Sequence, residues 1–544
     1  MQKCYVKGAK MKLSQDTTPS SAETTPTDVV RWVQDLTELH ARIAAHFARP
    51  EPRQRALKYL QGVMSEVERK NGWQLAEQAR EATPYGMQRL LSAAVWDENL
   101  VRDNLRDYVY EHLGTPDGIL VIDETSFPKR GEKSAGVQVQ YCGTIGELEN
   151  CQVAVFLDYV TTLGHTLIDR ELYLPKAWID DPERCREAGI PDTVRFQTKC
   201  ELARQMVERV YNAQIPISWI VADTVYGNNQ DLRDWLGEQK YWSVLAVACT
   251  ELVGIRTPDG LRKQLRVREV EADLLRAQDW QRLSMGDGTK GPRLFDWACV
   301  PILHKWEDDG CHWLLVRRCI DHPKTKTYYI VFGPPGTTLQ TMVTVIGYRW
   351  RIEDDFKTSK GMGLDQYEVR RWICWYRHIT LVLLTHALLA VICAESRETS
   401  VVDASPPNAP PPSLPNPCVS PRIPAASPAL AILSDIPSSV TVLDSSLAPF
   451  PHVLPAASPA LAVLPRPSLA GPLLSSVLPV SKPLPSLPVF NLAPLTIPEV
   501  RHLLGHLIWP TSTNATFVLA WSAWRRYHRS MSSYYHTKRR LDAG

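Results

Sequence analysis

Three acidic residues stand where chemistry could be done. Asp123 closes the apolar run GILVID (118–123), Asp223 closes ISWIVAD (217–223), and Glu353 lies in YRWRIEDDFKTSK on a predicted helix. An ionised carboxylate at the end of a buried strand needs compensation. A divalent cation supplies it, and Mg²⁺ takes a few carboxylates while keeping room for water and phosphate. Two such ions activate an attacking water or 3′-hydroxyl and stabilise the leaving oxygen of a phosphodiester. Taken singly, each residue has a plainer reading: a turn residue for either Asp, a solvated helix face for Glu353 beside Asp354 and Asp355. Their conjunction with the surrounding elements gives the chemistry its weight.

Those elements are legible as hydrophobic periodicity. GILVID is a short buried strand, GVQVQYCG (136–143) and CQVAVFLD (151–158) alternate, and HTLIDRELYL (165–174) continues the strand character. Phe196–Val210 and Asn229–Gln239 have helical spacing, and ISWIVAD and WSVLAVA (242–248) read as strands. The order β1-β2-β3-α-β4-α-β5, with Asp on the first strand and Asp closing the fourth, is the plan of a ribonuclease H-like α/β core with a mixed sheet. Thr338–Lys360 reads as one helix carrying Glu353, followed by a long apolar helix, Arg370–Ala394. At helical spacing Arg349, Glu353, Phe356 or Lys357, and Lys360 share one face. That face puts cations beside the acidic residue, as phosphate binding requires.

The 544 residues divide by texture. Residues 1–27 read as a disordered tail and 28–114 as a helical N-terminal domain, with Val30, Val33, Leu36, Leu39 and Ile43 as its first stripe. Thr83 is a candidate cap for the helix through Ala93, which after its short turn has a helix-turn-helix-like pattern. The core runs 115–249 and resumes at 338–396, interrupted at 250–337 by a mainly-β insert with a hairpin of HWLLVRRC and TYYIVF. Residues 401–500 hold 24 of the 42 prolines and seven charged side chains, and PAASPALA occurs there twice. This composition predicts an extended, disordered Pro-rich linker over 397–490. A C-terminal helical segment, 491–544, ends in AWSAWRRYHRSMSSYYHTKRR, six Lys/Arg among five Trp/Tyr, including Arg525 and Arg526. Such a surface suits phosphate and base contacts.

Composition narrows the classes. Sixty-one Lys+Arg against 59 Asp+Glu give a net charge of +2, so nucleic-acid binding must come from local patches. Twelve scattered cysteines with no C-x-x-C pair predict free thiols and no structural zinc finger. The apolar stretch Ile379–Ala394 is too short to span a bilayer and predicts a buried core helix, with no membrane partner.

The chain resembles the DDE transposases of bacterial insertion sequences, and is most similar to the insertion-sequence 701 family. The resemblance covers about residues 28–395 and 490–541. It rests on NGWQLAE (71–77), VIDETSF (121–127), QYCGTIG (140–146), ENCQVAVF (149–156), IDRELYLP (168–175), DTVYG (223–227), RWRIEDDFKTSKG (349–361) and LAWSAWRRYHR (519–529). It implies that Asp123, Asp223 and Glu353 bind two Mg²⁺ ions, with Mn²⁺ as substitute. It implies cleavage and strand transfer at the element's ends without a covalent protein–DNA intermediate. The implied partners are the terminal inverted repeats and target DNA, bound by a homodimer in a cytoplasmic, nucleoid-associated setting. The wider insertion-sequence 4 group has the signature Y-x2-R-x3-E-x6-K. Arg349, Glu353 and Lys360 fit it, whereas Ile346 occupies the tyrosine position and the nearest tyrosine is Tyr348. Arg349 and Lys360 would then contact phosphate, with Tyr348 and Lys357 beside them. Lys129 and Arg130 would reach phosphate near the scissile bond. Two rivals stand beside this expectation: an inactive or repurposed DNA-binding derivative, and a metal-dependent nuclease without strand transfer.

Overall fold

The computed structural model describes residues 24–79, 81, 83–288, 291–402 (side chains to 397) and 493–508, with single positions between 519 and 538. The Pro-rich segment, most of it in a separate unit at Pro406–Pro488, lies outside the described residues. So does the predicted tail up to residue 23.

The described residues open with five α-helices: α1 (Pro26–Ile43), α2 (Pro50–Met64), α3 (Gly72–Gln78), α4 (Tyr85–Ser92) and α5 (Glu98–Leu113). Thr25 starts α1 through a reciprocal capping box with Asp28, and Pro26 fixes its first turn. The buried stripe is Val29, Trp32, Leu36, Leu39 and Ile43. The expected stripe had Val30 and Val33 in place of Val29 and Trp32, but Val30 is exposed. The helix is phased to bury the indole of Trp32, whose apolar area exceeds that of either valine. Pro84, with no side-chain hydrogen bond, occupies the cap position of α4 where Thr83 was expected.

The strands follow: β1 (Ile119–Pro128), β2 (Gln138–Cys142), β3 (Glu147–Val160) and β4 (His165–Leu172). Then come α6 (Lys176–Ile179), α7 (Pro182–Ala188), α8 (Lys199–Asn212), β5 (Trp219–Ala222), α9 (Thr224–Gly227), α10 (Gln230–Glu238) and β6 (Ser243–Val247). β3 pairs antiparallel with both β1 and β4, while β5 runs parallel to β1 and to β6. β2 and β4 share the outer edge of the long β3, at residues 147–151 and 154–160.

Residues 250–337 supply β7 (Leu252–Arg256), β8 (Arg262–Arg266), α11 (Val267–Leu274), β9 (Gln281–Gly288), β10 (Gly291–Pro301), β11 (His312–Arg318) and β12 (Lys326–Phe332). β12 pairs antiparallel with β6, so β9–β12 prolong the same sheet in the order β6-β12-β11-β10-β9. β7 and β8 form a separate hairpin, and Val253, Ile255, Val267, Val270, Leu314 and Val316 share a second small core.

Four helices complete the described fold: α12 (Leu339–Gly347), α13 (Trp350–Gly361), α14 (Trp372–Val402) and α15 (Ile497–Leu507). The single helix expected over 338–360 is broken at Tyr348 and Arg349. Gly347 lies where a Cβ would meet the Met285 carbonyl oxygen at 2.2 Å, so α12 ends pressed against β9. Helix α14 is long and apolar enough to cross a membrane by composition, with mean hydropathy 2.0 over its best window, but 89% of that window is buried inside the protein. It packs against α5, α2, α4, α15 and β4. Its polar groups fasten the N-terminal helices: Tyr59 Oη lies 2.6 Å from His378 Nδ1, and Arg377 donates to the carbonyls of Leu91 and Trp96.

Candidate functional site

The last paired residues of β1 and β5 are Ile122 and Ala222, so Asp123 and Asp223 emerge side by side from two parallel strands. Asp223 also caps α9, its Oδ1 accepting from Val225 N at 2.9 Å. Strand alternation turns Asp123 toward α13, the side on which its register partner Phe156 packs against Phe356. Glu124 turns toward α8 and α9. There it accepts from Lys199 Nζ at 2.6 Å and Tyr226 Oη at 2.8 Å. Each of Asp123, Glu124 and Asp223 still offers a carboxylate oxygen within 4.8 Å of the others.

Burial, and then the neighbouring Asp223, push the Asp123 carboxyl up to about 7 despite the Arg349 guanidinium beside it. Burial, and then Glu124, raise Asp223 as well. Such shifts mark charges short of a cation. Asp123 was expected to close its strand, but β1 continues to Pro128, so the donors sit within β1 and at the end of β5; an all-oxygen set there fits a hard divalent ion.

Glu353, in the first turn of α13, stands across from this pair rather than within it. Arg349 bridges the gap: Nη1 is 3.2 Å from Asp123 Oδ2, and Nη2 is 2.8 Å from Glu353 Oε1. The break between α12 and α13 places this guanidinium at the mouth of the cluster. The two aspartates are therefore brought together, and the glutamate is held one guanidinium away.

The predicted phosphate contacts divide. Lys357 and Arg130 are exposed. Lys360 is half-buried, donates to Thr144 Oγ1 at 3.0 Å, and is lowered by burial. Tyr348 caps α12 and lies partly buried against the core. Lys129 is folded back onto the ring of Tyr367, 3.4 Å from its centroid, and donates to that residue's carbonyl; burial lowers it to about 8. Arg526 is buried and donates to the Ala493 carbonyl and Thr24 Oγ1, tying itself to the residues just before α15 and α1. Arg525 lies outside the described residues.

Glu124, Lys199 and Tyr226 are the members of the site that sequence reasoning missed. Glu124 follows Asp123 directly on β1, and its sequence position gave it no role beside the two aspartates. The signal for Tyr226 was its place in DTVYG, one helical turn beyond Asp223.

Residues 42–292 match the family described as a DDE superfamily endonuclease, a span that includes both aspartates and ends before Glu353. The chain is similar to the probable transposase for insertion sequence element IS701 of Microchaete diplosiphon, 24% identical over 310 residues, 56% of this chain and 74% of that protein. Among solved structures, the cryo-EM structure of the piggyBac transposase synaptic complex with hairpin DNA aligns over 72% of this chain and 69% of that one. The identity is 12% and the TM-score 0.30, too low to argue a shared fold.

Proposed function

We propose that the chain is a DDE transposase of the insertion-sequence 701 family and that it cuts and joins DNA at insertion-sequence ends through Asp123, Asp223 and Glu353, a reading supported by the family match and the similar transposase. The observation that carries this reading is the level emergence of Asp123 and Asp223 from parallel strands, their carboxylates gathered with Glu124 within 4.8 Å. The strand sequence β4-β3-β1-β5-β6, three antiparallel strands followed by two parallel to the first, supports a ribonuclease H-like core.

The superfamily implies divalent metal, and Asp123, Asp223 and Glu353 are the residues that would hold it. Two bound Mg²⁺ ions supply an activated water or 3′-hydroxyl and a stabilised leaving oxygen. The remaining work falls to the protein. Arg349 keeps Asp123 and Glu353 oriented toward one point, and its planar fork exchanges carboxylate for phosphate when DNA arrives. Lys357 and Lys360, on the helix of Glu353, extend the cationic path along the backbone. Glu124, already satisfied by Lys199 and Tyr226, positions β1 against α8 and α9. The N-terminal helices read the terminal inverted repeats, and a dimer on DNA brings two ends to one target, in a cytoplasmic, nucleoid-associated setting.

The test uses the two ends flanking the gene, placed on a plasmid. The intact chain should release the segment with Mg²⁺ or Mn²⁺ and insert it into a second plasmid. Asp223→Ala should bind the ends and leave them uncut. Normal cleavage by that variant would overturn the assignment. Cleavage without strand transfer would make the protein a nuclease, and binding alone an inactive derivative.

A further inference from the structure

A second group of metal-ligating side chains lies on the α13 side of the sheet, apart from the site above. It joins four elements: Asp158 from β3, His165 from β4, Asp355 from α13 and His386 from α14. Asp158 and His386 have no exposed surface, and Asp355 is 1% exposed. Ligand atoms of Asp158, His165 and Asp355 lie within 4.8 Å of one another. His165 Nδ1 is 2.9 Å from Asp355 Oδ1, and His386 Nε2 is 3.5 Å from the same oxygen.

Two features set this cluster apart from an ordinary buried network. First, its polar groups are poorly compensated: neither carboxylate oxygen of Asp158 meets a well-aligned donor, its polar neighbours being the Asp355 carboxyl and the Tyr159 N–H, and His386 Nε2 is buried without a hydrogen-bond partner. Buried polar atoms are nearly always paired, and a fully buried carboxylate with no cation beside it is among the costliest groups a fold can carry. Among the described residues, no lysine or arginine donates a hydrogen bond to Asp158 or Asp355. Second, the imidazole of His386 is already aimed. Its Nδ1 sits 2.7 Å from Thr166 Oγ1, which leaves Nε2 turned to the carboxylates. Metal-bound histidines characteristically engage their other nitrogen in this way. The sheet is shaped for the group as well: the register of β3 on β4 shifts between Leu157 and Asp158, and bulges of this kind re-aim side chains.

We propose that Asp158, His165, Asp355 and His386 bind one divalent transition-metal ion of the zinc class, a site separate from the Asp123–Asp223 cluster. Two imidazole nitrogens and two carboxylate oxygens suit zinc, whereas magnesium favours oxygen alone. Two carboxylates match the charge of one divalent ion, so the closed cluster becomes neutral. Neighbouring ligands of a tetrahedral ion at about 2.1 Å lie roughly 3.4 Å apart; His386 Nε2 is already 3.5 Å from Asp355 but outside the 4.8 Å group of the other three, so binding would draw its imidazole inward. His165, with about a quarter of its side chain exposed, is the way in. The ion would pin α13 to β3, β4 and α14, two residues along the chain from Glu353.

The full-length chain, purified without chelator, should carry about one zinc by elemental analysis. Asp158→Asn and His386→Gln should each lose it, while Asp223→Asn should keep it. Should either variant fail to fold, the wild-type chain decides: stripped and refilled with Co²⁺, it should show the intense visible bands of a tetrahedral ion and a raised Tm that excess Mg²⁺ does not reproduce. A folded wild-type chain that retains no transition metal, and shows neither bands nor a Tm response to Co²⁺ or Zn²⁺, would overturn the site. A proton shared by Asp158 and Asp355 would then account for the pair. None of these readouts depends on DNA cleavage, so failure here leaves the proposed activity untouched.

Discussion

Asp123 and Asp223 stand at the same level of two hydrogen-bonded parallel strands, each one residue past the last β1–β5 pair, with Asp123 inside the longer β1 and Asp223 just beyond the end of β5. Neither strand has another carboxylate among its preceding apolar residues, and β5 ends where Asp223 begins capping α9. The price of this convergence is repulsion in a buried place, seen in the upward shifts of both carboxyls. Removing one charge while keeping the cap should relieve it. Asp223→Asn retains an oxygen for Val225 N and should raise stability in chelator by roughly 0.5–2 kcal/mol while abolishing cleavage. Urea unfolding in chelator measures this, and a less stable variant would contradict the account.

Arg349 is the cation of the resting site. Arg349→Ala leaves Asp123 facing Asp223 without compensation, so the variant should unfold earlier than wild type in chelator. Divalent metal should restore much of the difference, because a ligand that binds only the folded state stabilises by mass action. A thermal scan with and without Mg²⁺ measures it. The expected pattern is a larger metal-induced rise in Tm for Arg349→Ala than for wild type. Equal rises in the two proteins would mean that the guanidinium and the metal do not answer the same charge.

The sequence carried much of the scaffold and less of the site. The apolar runs marked β1, β5 and β6 because strands buried on both faces must be apolar throughout, while alternation marked β3. They also marked the two aspartates, since a carboxylate at the end of such a run is conspicuous. The role of residues 136–143 was not legible: alternation identified β2 as a strand but could not tell that it shares an edge of β3 with β4. Helical periodicity carried Thr338–Lys360 through as one helix. The break at Tyr348 and Arg349 comes from a tertiary contact, Gly347 against the Met285 carbonyl, which has no local signature. Arg526 read as a surface cation because basic and aromatic residues alternate around it. Its burial follows from packing against residues 24 and 493, remote in sequence.

Beneath the site, β4 carries a buried ion network. Asp169 Oδ2 accepts from Arg209 at 2.8 Å, with Arg102 and Arg170 also close to its carboxylate. Burial pushes this carboxyl up, but the three guanidinium groups outweigh it and hold it below its ordinary value. A carboxyl depressed in the folded state contributes stability above the unfolded value near 3.9 and loses it as pH falls through the folded one. Arg209→Ala should therefore cost about 3–5 kcal/mol at pH 7, and its gap from wild type should narrow below about pH 4. Urea midpoints from pH 7 to 3 test the sign; a gap that widens in acid would refute it.

Gly227 closes the DTVYG segment where α9 passes over β6. A Cβ there would lie 1.8 Å from the Ala246 carbonyl oxygen, and that atom belongs to a central strand with no freedom to retreat. No rotamer relieves a clash between Cβ and backbone. Gly227→Ala must therefore push α9 off the sheet and carry with it the turn that Asp223 caps. Overpacking of this kind costs about 1–3 kcal/mol. Displacement of Asp223 from Asp123 should also weaken metal binding more than the stability loss alone explains. The paired measurements are the urea midpoint and the Mn²⁺ affinity by calorimetry, both at a temperature where the variant is folded. A variant with wild-type Mn²⁺ affinity would show that α9 does not set the position of Asp223.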